Sequence, residues 1–279
     1  MVLQPNIPIE EAHGLLVSKI RAYFEGCGMS RALVGLSGGI DSAVVFALAC
    51  EALGAGNVHG VLMPSGFSTT HSVKDAEDLA RNCGASYDIV PIGRIYDRFM
   101  EELAPLFADG QWSVTQENIQ ARTRAVILMA YSNKRGALVL NTSNKSELFM
   151  GYGTLYGDLA GAMMVIADLY KLQVYELARH INREREIIPV STMTKAPSAE
   201  LKPGQKDTDS LPPYEILDPV LHALCEEGRS PEDVIASGAD RATVERILRL
   251  KRASSFKVMQ IPPMLTVGDH PIAPGFKCL

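Results

Sequence analysis

The stretch that decides the fold is "LVGLSGGIDSAVVFALACEALGAG", residues 33–56. It passes from a short apolar run, through two adjacent glycines, two serines and an aspartate, into a long helical pattern. Where a strand turns into a helix in this way, unpaired backbone N–H groups and the positive end of the helix dipole point to one place. We therefore predict that the turn at residues 37–42 binds an anion.

The side chains of this turn indicate which anion it binds. Gly38 and Gly39 permit positive φ and close backbone approach, and Ser37 and Ser42 add hydroxyl donors for phosphate oxygens. Asp41 would repel a phosphate unless a divalent cation lay between them, so we assign Asp41 to Mg²⁺. The stretch lacks the Lys-Ser/Thr ending of a Walker loop and the spacing of a dinucleotide fingerprint. The alternative is a plain strand-to-helix turn that Asp41 caps.

Short β-branched runs alternate with helical patterns along the first two thirds of the chain. The runs predict strands buried on both faces at 31–37, 57–64, 85–92 and 136–142. Helices are predicted at 41–53, 71–83, 93–107, 115–134 and about 171–183. This alternation predicts an α/β fold with a doubly wound, mostly parallel sheet, helices on both faces and a helical C-terminal part. Ligands of such sheets bind beyond the carboxyl ends of the strands, so the loops 37–42, 64–71 and 142–147 should surround one crevice.

Composition narrows the class of protein. The 279 residues, 47% apolar and 21% charged, fit a single domain over 1–279. The net charge of −5 argues against nucleic-acid binding. The first residues carry acids rather than the bases of a secretory signal, and no apolar run approaches the roughly 20 residues that span a bilayer, so we expect a cytoplasmic protein without membrane contact. The five scattered cysteines predict neither a disulfide framework nor a zinc site.

Two segments near the C-terminus are not part of this alternation. Residues 196–213, rich in Pro, Lys, Asp and Ser, predict a mobile loop that covers the site, with a plain linker as the alternative. Residues 260–279 predict an extended, Pro-rich tail after a run of helices.

Four sequence blocks resemble a known family. The block "SGGIDS" (37–42) resembles the pyrophosphate loop of the adenine-nucleotide α-hydrolase enzymes, which cleave ATP to AMP and pyrophosphate while adenylating a substrate. The blocks "ENIQARTR" (117–124), "LNTSNKSELFMGYGTLYGD" (140–158) and "DLYKLQVYELAR" (168–179) resemble NAD synthetase, in the form usually fused behind a glutaminase domain. The similarity covers residues 10–260.

The resemblance implies a reaction and a set of site residues. The nicotinate carboxylate of deamido-NAD attacks the α-phosphorus of ATP, and ammonia then displaces AMP from the acyl adenylate. Asp41 and Lys171 are the implied catalytic residues, and Asp41 and Glu147 the implied ligands of Mg²⁺. The implied ATP-binding residues are Gly35, Leu36, Ser37, Gly38, Gly39, Ile40, Asp41, Ser42, Thr142, Lys171 and Ser198.

Three further residues, Arg122, Asp158 and Lys257, match positions at which the family contacts deamido-NAD. Arg122 belongs to a helix for which we predict an apolar face made of Ile119, Val126, Ile127 and Ala130, so its side chain should project away from the core. Arg124 is the neighbouring alternative, because residues two apart do not share a helix face.

The resemblance also implies partners. The family generally forms homodimers with the dinucleotide near the subunit interface. We expect no glutaminase segment before residue 1, and none of the cysteines lies in a Glu-Lys-Cys arrangement. We therefore expect ammonia as the nitrogen donor, free or from a separate glutaminase subunit. Leu155 stands where ammonia-only relatives carry lysine. The competing readings are a related enzyme that adenylates another substrate and a nucleotide sensor without turnover; two carboxylates around Mg²⁺ favour an enzyme.

Overall fold

The computed structural model describes residues 7–108 and 110–268. Its sheet has five strands in the order β3-β2-β1-β4-β5, and every neighbouring pair is parallel. The strands are β1 (Ala32–Gly35), β2 (Val58–Leu62), β3 (Ser86–Ile89), β4 (Leu138–Asn141) and β5 (Met163–Met164). The chain moves outward from β1 to β3 and then returns to the other side of β1, so the sheet has a switch point between β1 and β4. The predicted doubly wound parallel sheet is confirmed.

The described helices cover the two faces of the sheet, and those near the C-terminus pack beside it. They are α1 (Ile9–Gly26), α2 (Ile40–Leu53), α3 (Thr70–Cys83), α4 (Gly93–Glu102), α5 (Val114–Arg135), α6 (Lys145–Met150), α7 (Lys171–Ile181), α8 (Val190–Thr194), α9 (Tyr214–Cys225), α10 (Pro231–Ala236) and α11 (Arg241–Ser254). Helix α1 was not predicted from the sequence, although its buried side chains Leu16, Ile20 and Phe24 follow helical spacing.

Side chains of β1 show that helices lie on both faces of the sheet. Ala32 and Val34 pack into the core shared with α1, α2 and α7, whereas Leu33 packs on the opposite face with Ile127 of α5. Strand β3 lies at the edge with one neighbour, and its Ile89 is 44% exposed. The prediction that residues 85–92 are buried on both faces was therefore wrong.

The predicted apolar face of α5 was wrong in part: Ile127 is buried, but two of its other members are exposed. Val126 is 67% exposed and Ala130 is exposed, whereas the polar side chains of Gln116, Gln120 and Thr123 are buried. Gln120 donates through Nε2 to the carbonyl of residue 201 at 2.8 Å. Because α5 packs against polar loop segments as well as the sheet, its apolar spacing does not mark its buried side.

The C-terminal helices form a second core. Residues of α6, α9, α10 and α11 pack together beside β5, as the predicted helical C-terminal part requires. Residues 196–213 contain one 3₁₀ turn, Asp207–Asp209, and a 3₁₀ helix at Ser255–Gln260 delays the predicted extended tail by one residue. Met264 in that tail bridges to Met164, and residues 269–279 lie outside the described residues. No helix in the described part of the chain is long and apolar enough to cross a membrane.

Candidate active site

The turn that follows β1 is shaped by glycine and serine. Gly38 has φ of +80°, and a Cβ at this position would lie 2.2 Å from the carbonyl oxygen of Ser72, so only glycine fits. Ser37 Oγ accepts from Gly39 N at 3.1 Å, and Ser42 Oγ donates to the carbonyl of Gly39 at 3.0 Å. Gly39 is the N-cap of α2 and no side chain caps this helix. Asp41 therefore lies in the first turn of α2 and is not its cap, contrary to the alternative reading.

Three predicted residues from distant parts of the chain meet beside this turn. Lys171, the first residue of α7, has its Nζ 2.5 Å from Asp41 Oδ2 and 3.4 Å from Glu147 Oε1. The lysine side chain is buried, whereas the two carboxylates are 17% and 16% exposed. An ammonium group thus stands between the two predicted metal ligands.

The electrostatics of this cluster follow from burial and mutual proximity. Burial and the neighbouring Asp41 raise the pKa of Glu147 to about 8, although Lys171 opposes the shift. Burial disfavours the charged lysine, but Asp41 and Glu147 outweigh it and raise the pKa of Lys171 above its ordinary value. Burial also raises the pKa of Asp207, which faces the same lysine. With more carboxyl groups than ammonium groups, the cluster can accept a second cation or a proton.

Asn144 fixes both carboxylates, and sequence reasoning missed it. As the N-cap of α6, it accepts from Glu147 N at 3.0 Å, and its own backbone N–H donates to the Glu147 carboxylate at 3.3 Å. Its amide donates to Asp41 Oδ1 at 2.8 Å. The signal was present, because "NKSE" has the N-x-x-E spacing of a capping box.

A cavity of about 540 Å³ lies over the carboxyl ends of the strands. All three predicted loops contribute to its wall, so the predicted crevice is confirmed. The predicted site residues that line it are Gly35, Leu36, Ser37, Gly39, Ile40, Asp41, Ser42, Thr142, Glu147, Asp158, Lys171, Ser198 and Lys257.

The two arginines of α5 have different surroundings. Arg122 is exposed, donates through Nε to the carbonyl of Leu155 at 3.2 Å and is not among the residues that line the cavity. Arg124 lines the cavity and donates through Nε to the carbonyl of Met63 at 3.0 Å. Burial lowers the pKa of Arg124 to about 10, which leaves it charged at neutral pH. Within one chain, it is therefore Arg124, and not Arg122, that faces the cleft.

Asp158 and Lys257 both line the cavity and hold its segment 151–158. Lys257 Nζ donates to the carbonyls of Gly151 and Gly153 at 2.7 and 2.6 Å, and burial lowers its pKa. Asp158 accepts from Thr154 N at 2.9 Å, and burial raises its pKa. Both side chains therefore brace the segment 151–158 as well as lining the cavity.

The segment 196–213 folds over the cavity. Ser198 Oγ accepts from Glu200 N at 3.1 Å. Glu200, at φ +49°, accepts from Ser72 Oγ at 2.7 Å and so joins the segment to α3. The carboxylate of Asp207 accepts from the hydroxyls of Tyr152 at 3.2 Å and Tyr214 at 2.8 Å. These contacts place the segment on the cleft; its mobility stays a prediction.

The donor set at the cleft fits Mg²⁺ of the kind that accompanies a nucleotide. In proteins, Mg²⁺ is commonly bound by one or two carboxylates together with substrate phosphates and water. Within residues 7–108 and 110–268, no group of three or more His, Cys, Asp or Glu side chains forms a complete metal cage. Asp41 and Glu147, beside the turn for which we predict phosphate binding, match this open type of site.

Fold and site together define the class of protein. A parallel sheet with "SGGIDS" at its switch point, facing a cluster of two carboxylates and a lysine, is typical of the α/β enzymes that have a pyrophosphate loop for ATP. Within that class, the chain belongs to the NAD synthase family, whose sequence model matches residues 14–261. The resemblance read from the sequence is confirmed.

Individual relatives agree with this assignment. A glutamine-dependent NAD(+) synthetase from Synechocystis is 49% identical over 273 residues, which are 98% of this chain and 49% of that protein. The chain spans about half the length of the curated relatives it matches. An NH3-dependent NAD synthetase from Campylobacter jejuni superposes with a TM-score of 0.74 at 30% identity over 90% of this chain and 96% of that one. An NMN synthetase from Francisella tularensis superposes with a TM-score of 0.76 at 26% identity over 97% of this chain and 100% of that one.

Proposed function

We propose that this chain converts deamido-NAD to NAD in an ATP-dependent amidation that proceeds through an acyl adenylate and releases AMP and pyrophosphate. The observation that carries the proposal is the ammonium of Lys171 between Asp41 and Glu147, beside the phosphate-binding turn. This arrangement suits a reaction in which one anion must approach another.

In the first step, the nicotinate carboxylate attacks the α-phosphorus of ATP and pyrophosphate leaves. Lys171 is placed to stabilise the negative charge that develops on the transferred group, and the first turn of α2 offers N–H groups to the departing pyrophosphate. Asp41 and Glu147 would hold Mg²⁺, which when bound neutralises phosphate charge. Arg124 in the cleft adds a second fixed positive charge.

In the second step, ammonia attacks the acyl carbon and displaces AMP. The adenylate is reactive toward water, so the site needs cover, and segment 196–213 with Ser198 is in position to supply it. Free NH₃ has the required lone pair and NH₄⁺ does not. At fixed total ammonium, the rate is therefore expected to rise with pH until another group becomes limiting.

We further propose that the chain functions as a homodimer and takes ammonia directly at this cleft. Arg122 lies on an exposed side of α5 together with the exposed apolar side chains of Val126 and Met129, which suits a subunit interface close to the dinucleotide. The Arg122 of one copy would then lie close to the substrate bound by the other copy. Arg124 would contact the substrate bound by its own chain.

The test is turnover by the purified chain with ATP, Mg²⁺ and ammonium. Deamido-NAD and nicotinate mononucleotide are supplied in parallel, because one structural neighbour is an NMN synthetase. The proposal expects NAD and pyrophosphate in equal amounts, with deamido-NAD preferred at least tenfold. Preference for the mononucleotide would overturn the substrate, and ATP binding without pyrophosphate release would favour the sensor. Glutamine supporting NAD formation as well as ammonium does would contradict the proposed donor.

A further inference from the structure

A fully buried carboxylate lies behind the cleft cluster, on a helix that contributes no predicted site residue. Asp218 of α9 accepts from Ser146 Oγ at 2.6 Å through Oδ1 and from Leu172 N at 2.9 Å through Oδ2. Ser146 Oγ in turn accepts from Lys171 N at 2.9 Å. The first two backbone N–H groups of α7 are thus held by this carboxylate, one directly and one through the serine.

These contacts join α6, which carries Glu147, to α7, which carries Lys171. Ser146 precedes Glu147 in α6, and Lys171 begins α7. One carboxylate from α9 therefore fixes where the Glu147 backbone lies relative to the Lys171 backbone. The side-chain contact between them, 3.4 Å from Nζ to Oε1, depends on that spacing.

We propose that Asp218, acting through Ser146, is a positioning residue that sets the Lys171–Glu147 geometry for transfer of the adenylyl group. The inference rests on the proposed function, in which Lys171 stabilises charge on the transferred group. A misplacement of about 1 Å at a reacting centre costs on the order of 10²-fold in rate, so the anchor of a flexible lysine matters.

The chemistry of the contacts explains why the position holds an aspartate. Ser146 uses its one O–H toward Asp218, which leaves its lone pairs for Lys171 N. The partner on α9 must then accept two hydrogen bonds in different directions, and a carboxylate offers two oxygens where an amide offers one. Burial raises the pKa of Asp218 to about 6, and the N-terminus of α7 favours the ionised form near neutral pH. An alanine could fill the space but accept neither bond.

The first test is steady-state and single-turnover kinetics of Ser146→Ala with ATP, deamido-NAD and ammonium. The variant removes the Ser146 hydroxyl that links Asp218 to Lys171 N, and it changes no side chain that lines the cleft. We expect kcat to fall by about 10- to 100-fold while KM for ATP changes less than about threefold. Val234→Ala is the matched control, because Val234 is fully buried in the same C-terminal core and its apolar side chain forms no hydrogen bond with Asp218, Ser146 or Lys171. Its kcat per folded molecule should equal that of the wild type.

The second test does not use activity. Lys171 is buried and ion-paired, so an amine-acylating reagent should label it slowly, as measured by mass spectrometry of peptides. In Ser146→Ala and in Asp218→Asn, labelling of Lys171 should become at least about threefold faster, whereas labelling of Lys145 should not change. Asp218→Asn also serves if Ser146→Ala does not fold.

The two tests separate failure of the inference from failure of the proposed function. If the wild type forms no NAD, the proposed function fails, and the labelling rates alone decide whether Asp218 holds Lys171. If the wild type is active but both variants keep wild-type kcat and wild-type labelling, the positioning role is wrong. The positioning role would also be wrong if Ser146→Ala lost only as much stability as Val234→Ala does and kept the wild-type kcat.

Discussion

Two lysines in this protein each begin a helix and each lie between two carboxylates, yet their surroundings differ. Lys145, at the start of α6, has its Nζ 2.9 Å from Asp168 Oδ1 and 2.7 Å from Glu226 Oε1. All three of these side chains are at most 5% exposed. The second oxygen of Asp168 accepts the backbone N–H groups of residues 267 and 268.

The cluster of Lys171 differs from that of Lys145 in access. Asp41 and Glu147 reach the cavity and lie beside the phosphate-binding turn, whereas the Lys145 cluster does not line the cavity. Both lysines also lie over an aromatic ring, Tyr170 for Lys145 and Tyr214 for Lys171. The same residue types therefore hold the C-terminal helices together in the Lys145 cluster and can receive a ligand in the Lys171 cluster. The two clusters therefore differ in their access to the cleft and not in the residue types they contain.

The largest expected effect is loss of catalysis in Lys171→Met. In the proposed mechanism this ammonium stabilises the transferred group, so its removal should lower kcat/KM for NAD formation by at least about 10³-fold. Pyrophosphate release in a single turnover, at saturating Mg²⁺, is the measurement. A folded variant within tenfold of the wild-type rate would show that the cleft lysine is as structural as Lys145.

Lys145→Met should lower stability and leave activity nearly unchanged. It removes the Lys145 ammonium from the buried carboxylates of Asp168 and Glu226, which should lower the free energy of unfolding by about 3–5 kcal/mol. Activity per folded molecule should stay within about threefold of wild type. Denaturant unfolding and kinetics on the same preparation provide both values.

The matched control for Lys145→Met is Lys74→Met. Lys74 pairs with Asp78 on the exposed surface of α3, and loss of such a pair typically costs less than about 1 kcal/mol. An equal cost for both variants would mean that burial does not distinguish these two ion pairs.

A third prediction concerns pH and the buried Asp218, which accepts hydrogen bonds from Ser146 and Leu172. Its pKa of about 6 lies above the ordinary value of 3.8, so the folded state binds the proton more tightly than the unfolded state. Stability should therefore fall as pH rises from about 4 to about 6, by up to roughly 3 kcal/mol, and this contribution should be constant above that range. Urea unfolding of wild type and Asp218→Asn across pH 4–7 measures the difference. Identical slopes for the two proteins would contradict the raised pKa.

The smallest expected effect is ligand protection of the segment that covers the open cluster. ATP with deamido-NAD should reduce proteolytic cleavage within residues 196–213 severalfold, because ordering the segment removes the extended conformations that a protease needs. Cleavage near the exposed Leu106, which does not line the cavity, is the internal control and should not change. Equal cleavage of 196–213 with and without ligands would argue that the segment is a fixed wall.

The sequence by itself determined the local parts of this architecture. The turn at Ser37–Ser42 follows from glycine and serine chemistry between an apolar run and a helix, and it lies where the sequence placed it. The parallel sheet follows from the regular alternation of short buried strands and helices. The turn depends on contacts between residues that are close in the chain, and each strand and helix has its own local periodicity, so a linear pattern can report both.

Tertiary structure alone decided which charges meet. Asp41 and Lys171 are 130 residues apart, and nothing local distinguishes Lys171 from Lys145, which has the same place at a helix start. The family resemblance selected Lys171, but only packing shows that its carboxylates open on the cleft. Likewise, α5 turns Arg124 inward because polar loop contacts outweigh its apolar spacing. The electrostatic energy of a charge depends on its neighbours and its distance from water, and those are properties of the folded chain.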